Sequence, residues 1–216
     1  MAKENNFLKT LFVYNGVFVF ASGLIGPLYA VYVQRFDSNV SSISLSWAAF
    51  LLSTTFFLSI LSRYGDRIKN KKILLQFGFL IRAIAWISYI FVGDIGALIL
   101  VQMLLGLGEA LGTPSFEALF AEHLDKNRHI KEYSEWKLIV NGASGLAVIG
   151  GGFLVQKMGF NILFISMSVL AVVTLTGFSL STRESKKSIS KSTEEDSGAN
   201  LNTLRGDEEV SVLAEE

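Results

Sequence analysis

The sequence predicts an all-α membrane protein with six transmembrane helices, arranged as two inverted three-helix repeats. Three observations carry that expectation. Six stretches are apolar for about 20 residues each, the length a helix needs to cross the hydrocarbon layer. Lys and Arg gather in alternate links between those stretches. The first and fourth stretches are interrupted by glycines and a proline at a similar depth.

Composition fits this class. Half of the residues are hydrophobic and mean hydropathy is +0.44, too apolar for an ordinary soluble domain. Formal net charge is zero, so no overall field attracts nucleic acid or an acidic partner. Cys is absent, which removes thiolate zinc sites, disulfides and cysteine nucleophiles. No cofactor motif and no metal-ligand cluster is legible.

A cytoplasmic N-terminus of residues 1–9 precedes the first span, 10–34, whose apolar run from Leu11 to Val33 is too long for a cleaved signal peptide. The second span, 42–62, is the most polar, but its Ser and Thr hydroxyls can bond back to their own helix. Spans three to six follow at 73–92, 95–121, 138–156 and 160–181. The remainder, 182–216, is rich in Ser, Glu, Lys and Asn and lacks aromatics, the composition of a disordered cytoplasmic tail.

Direction follows from the basic residues. Lys3 and Lys9, then Arg63 to Lys72, then Lys126 to Lys137, then Arg183 to Lys191 fall on one side when the spans number six. The other side offers only Arg35 and Lys157. Both termini are therefore expected in the cytoplasm, with the plasma membrane as the expected location.

The repeat rests on Gly23-Leu24-Ile25-Gly26-Pro27 in span one and Gly106 to Pro114 in span four. Aligning the two prolines also pairs Tyr29 with Phe116 and Asn15 with Gln102. Interrupted helices at matching places in two halves point to a transport pathway.

The link after span two reads Ser62-Arg63-Tyr64-Gly65-Asp66-Arg67-Ile68-Lys69-Asn70-Lys71-Lys72. This resembles the signature loop of the major facilitator superfamily, Gly-x-x-x-Asp-Arg-x-Gly-Arg-Arg/Lys. Asp66, Arg67 and the basic end match; Ser62, Lys69 and Asn70 depart from the pattern. The segment Gln102 to Asp125 is similar to the family's fourth helix, and the glycine-rich run Asn141 to Gly152 to its fifth, without the Gly-Pro pair of that helix. The resemblance covers about residues 8–181, one six-helix half of a major-facilitator-type fold. It implies a secondary transporter that moves a small solute by alternating access, with spans one and four lining the path. It also implies that Asp66 and Arg67 act as a conformational latch.

Two charges fall near the middle of spans, Arg82 in the third and Glu109 in the fourth. Each costs roughly 2.5–3.5 kcal/mol at bilayer centre, so they face the interior, a cavity or each other. Gln102, Gly106, Glu109, Thr113 and Phe116 share one helical face, as do Asn15, Ser22, Gly26 and Tyr29. The expected pathway residues are Tyr14, Asn15, Gln102 and Glu109, with Arg82 as a further candidate and Glu109 as the proton or cation carrier. Glu117, nearer the basic loop, is expected to join the latch by pairing with Arg67 or a nearby Lys. Ala143, Ala147 and Gly151 form a small-residue stripe suited to close helix packing.

Other classes fit less well. Gly142-Ala143-Ser144-Gly145 has the form of a serine nucleophile motif, but the only histidines, His123 and His129, lie in a loop. No Walker loop is present. The expected partners are the lipid bilayer, a small-molecule substrate of unknown class, and a second copy or a second six-helix half. The alternatives are a non-transporting scaffold and the N-terminal half of a longer transporter. A transporter predicts that Glu109 and Asn15 share a cavity; a scaffold predicts polar groups consumed in internal pairs.

Overall fold

A computed structural model describes the backbone over residues 6–68 and 70–213 and the side chains over 7–65, 67–68 and 70–182. The elements are α1 (Asn6–Gly23), α2 (Leu28–Val33), α3 (Val40–Tyr64), α4 (Lys71–Ser88), α5 (Ile95–Glu122) and α6 (His129–Leu213), with no strand among the described residues. Among the described residues, four helical stretches are long and apolar enough to cross a membrane: Val40–Tyr64, Lys71–Phe91, Ile95–Glu122 and His129–Thr182. A shorter apolar helix covers Phe7–Gly23.

The first predicted span divides in two. Pro27 has no N–H to continue the ladder, so the chain turns after Gly23 and restarts at Leu28. The matching interruption in the fourth span does not form, because α5 runs unbroken through Pro114. The difference lies in packing. At the first break the Leu24 carbonyl is seated on Gly151, where a Cβ would lie 1.9 Å from its oxygen. Gly23 meets Ser144 and Ala147 in the same groove, so the small-residue stripe is a helix contact.

α3 starts on Asn39, whose side chain accepts the Ser41 N–H at 3.0 Å. Thr54, Thr55, Ser59 and Ser62 return their hydroxyls to carbonyls of the preceding turn. Ser53 instead donates to the Met103 carbonyl of α5 at 2.8 Å. α5 itself begins on Asp94, which accepts the Ala97 N–H at 2.9 Å.

Glycines set how closely α5 is approached. A Cβ on Gly106 would lie 2.8 Å from the Phe50 carbonyl of α3, and one on Gly78 of α4 would lie 2.5 Å from the Gly112 Cα. Gly106, expected on the lining face, is therefore a packing residue.

α6 begins at His129, nine residues before the predicted fifth span, and bends at Gly159, whose φ of 80° and ψ of 175° suit glycine. That bend separates the two predicted spans. Its second arm joins the core through Phe160 and Phe164, which lie 5.2 and 4.9 Å from the Tyr32 ring. Ser168 on the same arm donates to the Ala83 carbonyl of α4 at 3.1 Å. The chain divides into two units, Met1–Phe178 and Ser179–Glu216. In the second, the backbone is helical as far as Leu213, across residues whose composition reads as a disordered tail. No proline interrupts 183–213, and its Lys, Glu and Leu are good helix formers.

Candidate functional site

A cavity of about 420 Å³ opens within the first unit, walled by α1, α2, α3, α4, α5 and the first arm of α6. Its inner wall carries two hydrogen-bonded polar clusters and the Asn15 amide.

The charged cluster joins α4 to α5. Arg82 Nη2 donates to Glu109 Oε2 at 2.6 Å and to Thr113 Oγ1 at 3.1 Å, and Thr113 donates to Glu109 Oε1 at 2.5 Å. The guanidinium passes over Gly112, where a Cβ would be 3.3 Å away, and lies 4.9 Å from the Phe18 ring. The Arg82 side chain is 9 % exposed and that of Glu109 35 %, so the carboxylate is the partner open to the cavity.

The neutral cluster joins α2, α3 and α5. Tyr29 donates to Ser46 Oγ at 2.6 Å and accepts from the Gln102 amide, while Ser46 donates to the Ile43 carbonyl at 3.0 Å. All three side chains are buried.

Asn15 stands alone. It lines the cavity, is 9 % exposed, and has no hydrogen-bond partner among the described residues.

Of the predicted pathway residues, Asn15, Gln102, Glu109 and Arg82 line this one cavity. Tyr14 does not. Its ring lies against Gly177 and is 6.3 Å from Phe178, because it projects from the flank of α1 facing the second arm of α6. Of the predicted latch residues Asp66, Arg67 and Glu117, the side chains of the last two are described. Arg67 lies 5.6 Å from the Tyr64 ring, and the side chain of Asp66 is outside the described residues. Glu117 makes no ion pair among the described residues. It lies one turn beyond Thr113 on α5, which places it at the exposed rim of the cavity with Lys137.

Among the lining residues that the sequence did not single out are Trp47, Trp136 and Lys137. Trp47 sits 5.6 Å from the Tyr29 ring. Trp136 and Lys137 lie on the early turns of α6, which the hydropathy boundary at 138 excluded. The spacing of Glu132, Trp136 and Val140, two of them buried, is the signal that would have moved that boundary.

The sequence model of the Major Facilitator Superfamily matches residues 11–213. The chain belongs to the major facilitator superfamily. It is 28 % identical to an uncharacterized major-facilitator-type transporter of Bacillus subtilis, YitZ, over 70 % of this chain and 92 % of the relative. It is 26 % identical to a uridine/deoxyuridine transporter of Lactococcus lactis over 76 % of this chain, but spans only 34 % of that longer protein. Two crystal structures share the fold. The POT family transporter PepTSo matches with TM-score 0.72 and 16 % identity, over 84 % of this chain and 38 % of its own. A mutant of the peptide transporter POT in complex with sulfate matches with TM-score 0.64 and 20 % identity, over 82 % and 37 %. Family and relatives place this superfamily member among membrane transport proteins rather than enzymes.

Proposed function

We propose that this superfamily member is a secondary transporter unit that carries a small solute by alternating access through the cavity between α1, α4 and α5. The observation that supports it most is the shared cavity: Asn15 and Glu109 line it together, as a transporter requires. The scaffold reading draws on the Arg82–Glu109 pair, but leaves unused the Asn15 amide that opens into the cavity.

Taking α1 with α2 as one interrupted crossing, and the two arms of α6 as two, gives six crossings. An even number keeps both termini on the side of the basic loops, which supports a cytoplasmic location for them. In this reading the crossings form two inverted three-helix repeats. The unit works with a second six-helix half, either a second copy or a further segment of a longer transporter. Its short span relative to the Lactococcus transporter and the solved structures supports a missing half.

Glu109 is the proposed proton or cation carrier. Protonation would release it from Arg82 and Thr113, and that release is the local change a rocking transition could use. Asp66 and Arg67 remain the proposed latch on the cytoplasmic side. The Lactococcus relative makes a nucleoside the first solute to test.

The test is uptake of uridine by vesicles containing the purified chain under an imposed pH gradient, beside a mass measurement in mild detergent. Saturable uptake that Glu109→Gln abolishes is expected, from a particle larger than one chain. Unchanged uptake in Glu109→Gln would reject the carrier role, and a strictly monomeric active particle would reject the paired half.

A further inference from the structure

We infer that Asn15 is the specificity-determining contact of the cavity, and that it selects a neutral planar ring carrying a carbonyl beside a ring N–H. This rests on the reading of the cavity as a solute site and deepens it.

The first step is the Asn15 amide itself. It is nine-tenths buried, lines the cavity, and makes no hydrogen bond within the described residues. No buried side-chain polar atom among the described residues lacks a partner, so the polar atoms of this amide open into the cavity, where a ligand can reach them. The two polar clusters beside it are already engaged: Arg82, Glu109 and Thr113 with one another, Tyr29 with Ser46 and Gln102. Asn15 is the carboxamide left to read a ligand.

The second step is charge. Arg82 and Glu109 cancel within their pair, so the inner cavity carries no net charge to draw an ion. A neutral ligand is matched.

The third step is shape. Phe18 follows Asn15 by one helical turn, and Trp86, Phe116 and Trp136 stand on the other walls. Rings lining the same cavity as this amide suit a flat ligand held by its faces and read along its edge. A carboxamide offers one acceptor and two donors, so it pairs in two hydrogen bonds with an edge that presents a carbonyl next to an N–H. A uracil ring has that edge.

All three tryptophans of the chain, Trp47, Trp86 and Trp136, line the cavity, so ligand binding is readable by tryptophan fluorescence without any transport step. The experiment titrates the full chain in mild detergent with uridine and with uridine methylated on the ring N–H. Wild type is expected to quench saturably with uridine and to bind the methylated form about tenfold or more weakly, the loss of one or two hydrogen bonds. Asn15→Ala should bind the two equally. Asn15→Asp is nearly isosteric and keeps the site filled, but presents acceptors only: it loses the bond to the ring carbonyl and should bind uridine more weakly, while keeping the preference for the ligand that has the ring N–H. Thermal melting shows that each variant is folded. Equal binding of the two ligands by wild type, a preference that survives in Asn15→Ala, or no uridine binding at all would overturn the inference. Binding with the expected discrimination but no vesicle uptake would sink the transporter reading alone. Uptake without an Asn15-dependent preference would sink this inference alone.

Discussion

The Arg82–Glu109–Thr113 and Tyr29–Ser46–Gln102 clusters share α5, with Glu109 two turns beyond Gln102, yet they solve the same problem differently. Both place polar groups in helices apolar enough to cross a membrane. The neutral cluster is fully buried and closed, each hydroxyl satisfied by its neighbour. The charged cluster is asymmetric, with the guanidinium buried and the carboxylate half open to the cavity. Glycine makes that asymmetry affordable: Gly78, Gly108 and Gly112 let α4 and α5 approach until the arginine side chain lies flat on α5. Neutral polar groups need partners; a charge needs a partner and room made for it in the backbone.

Removing the carboxylate should produce the largest effect. Glu109→Ala leaves a buried guanidinium without its counter-charge and should cost about 3–5 kcal/mol, read from thermal unfolding in detergent. Arg82→Met should cost less, since the carboxylate it strands is partly open. The double variant Arg82→Met/Glu109→Leu should recover most of the loss. Equal costs for the two single changes would show that the difference in burial does not decide the energetics.

Closing the glycine space should be next. A methyl group at Gly78 would fall 2.5 Å from the Gly112 Cα, so Gly78→Ala forces α4 from α5 and should cost about 1–3 kcal/mol. Gly152→Ala is the control, because a Cβ there meets nothing within 4 Å. It should be neutral or slightly stabilising, as glycine is a poor helix former. If both changes melt alike, helix propensity rather than close approach sets the role of these glycines.

The neutral cluster should yield the smaller side-chain effect. Tyr29→Phe removes the hydroxyl between Ser46 and Gln102, but Ser46 keeps its bond to the Ile43 carbonyl. The loss therefore falls on the buried Gln102 amide and should be about 1–3 kcal/mol in the same melting experiment. Adding Gln102→Leu to Tyr29→Phe should restore part of it. Further loss in the double variant would mean that Gln102 has a second role in the core.

What the sequence revealed here depended on range. Helix identity is local, so the hydropathy of 42–62, 73–92 and 95–121 located α3, α4 and α5 to within a few residues. The Pro27 break was also local and legible, since a missing N–H needs no tertiary context. Pro114 bears the same signal, yet α5 stays continuous, because a membrane-type helix packed on two neighbours can absorb one lost bond. Facing residues were half legible. Periodicity put Gln102, Glu109 and Asn15 on lining faces, but could not tell lining from packing for Gly106, nor place Tyr14, because both depend on where the neighbouring helix sits. The Arg82–Glu109 bond joins residues 27 apart on different helices, and only the α4–α5 approach set by Gly78 and Gly112 decides it.

The same contrast between paired and open polar groups recurs outside the apolar core, at the start of α3. There Asp37 accepts the Ser42 hydroxyl at 2.5 Å and the Asn39 N–H at 2.9 Å. The Ser42 bond chiefly, and the Asn39 bond after it, hold its carboxyl below the ordinary carboxylate range. A carboxyl lowered in the folded state contributes stability above its unfolded value, about 3.9. That contribution disappears as pH falls through the lower folded value. Asp37 lies in the loop before α3, so the effect should be local: protection of the Asn39 and Ser41 amides, taken against the intrinsic exchange rate at each pH, should fall below about pH 4, while that of the rest of α3 is unchanged. Asp37→Asn should remove that pH dependence. A loss of protection in acid that persists in Asp37→Asn would mean that a different group fastens the first turn of α3.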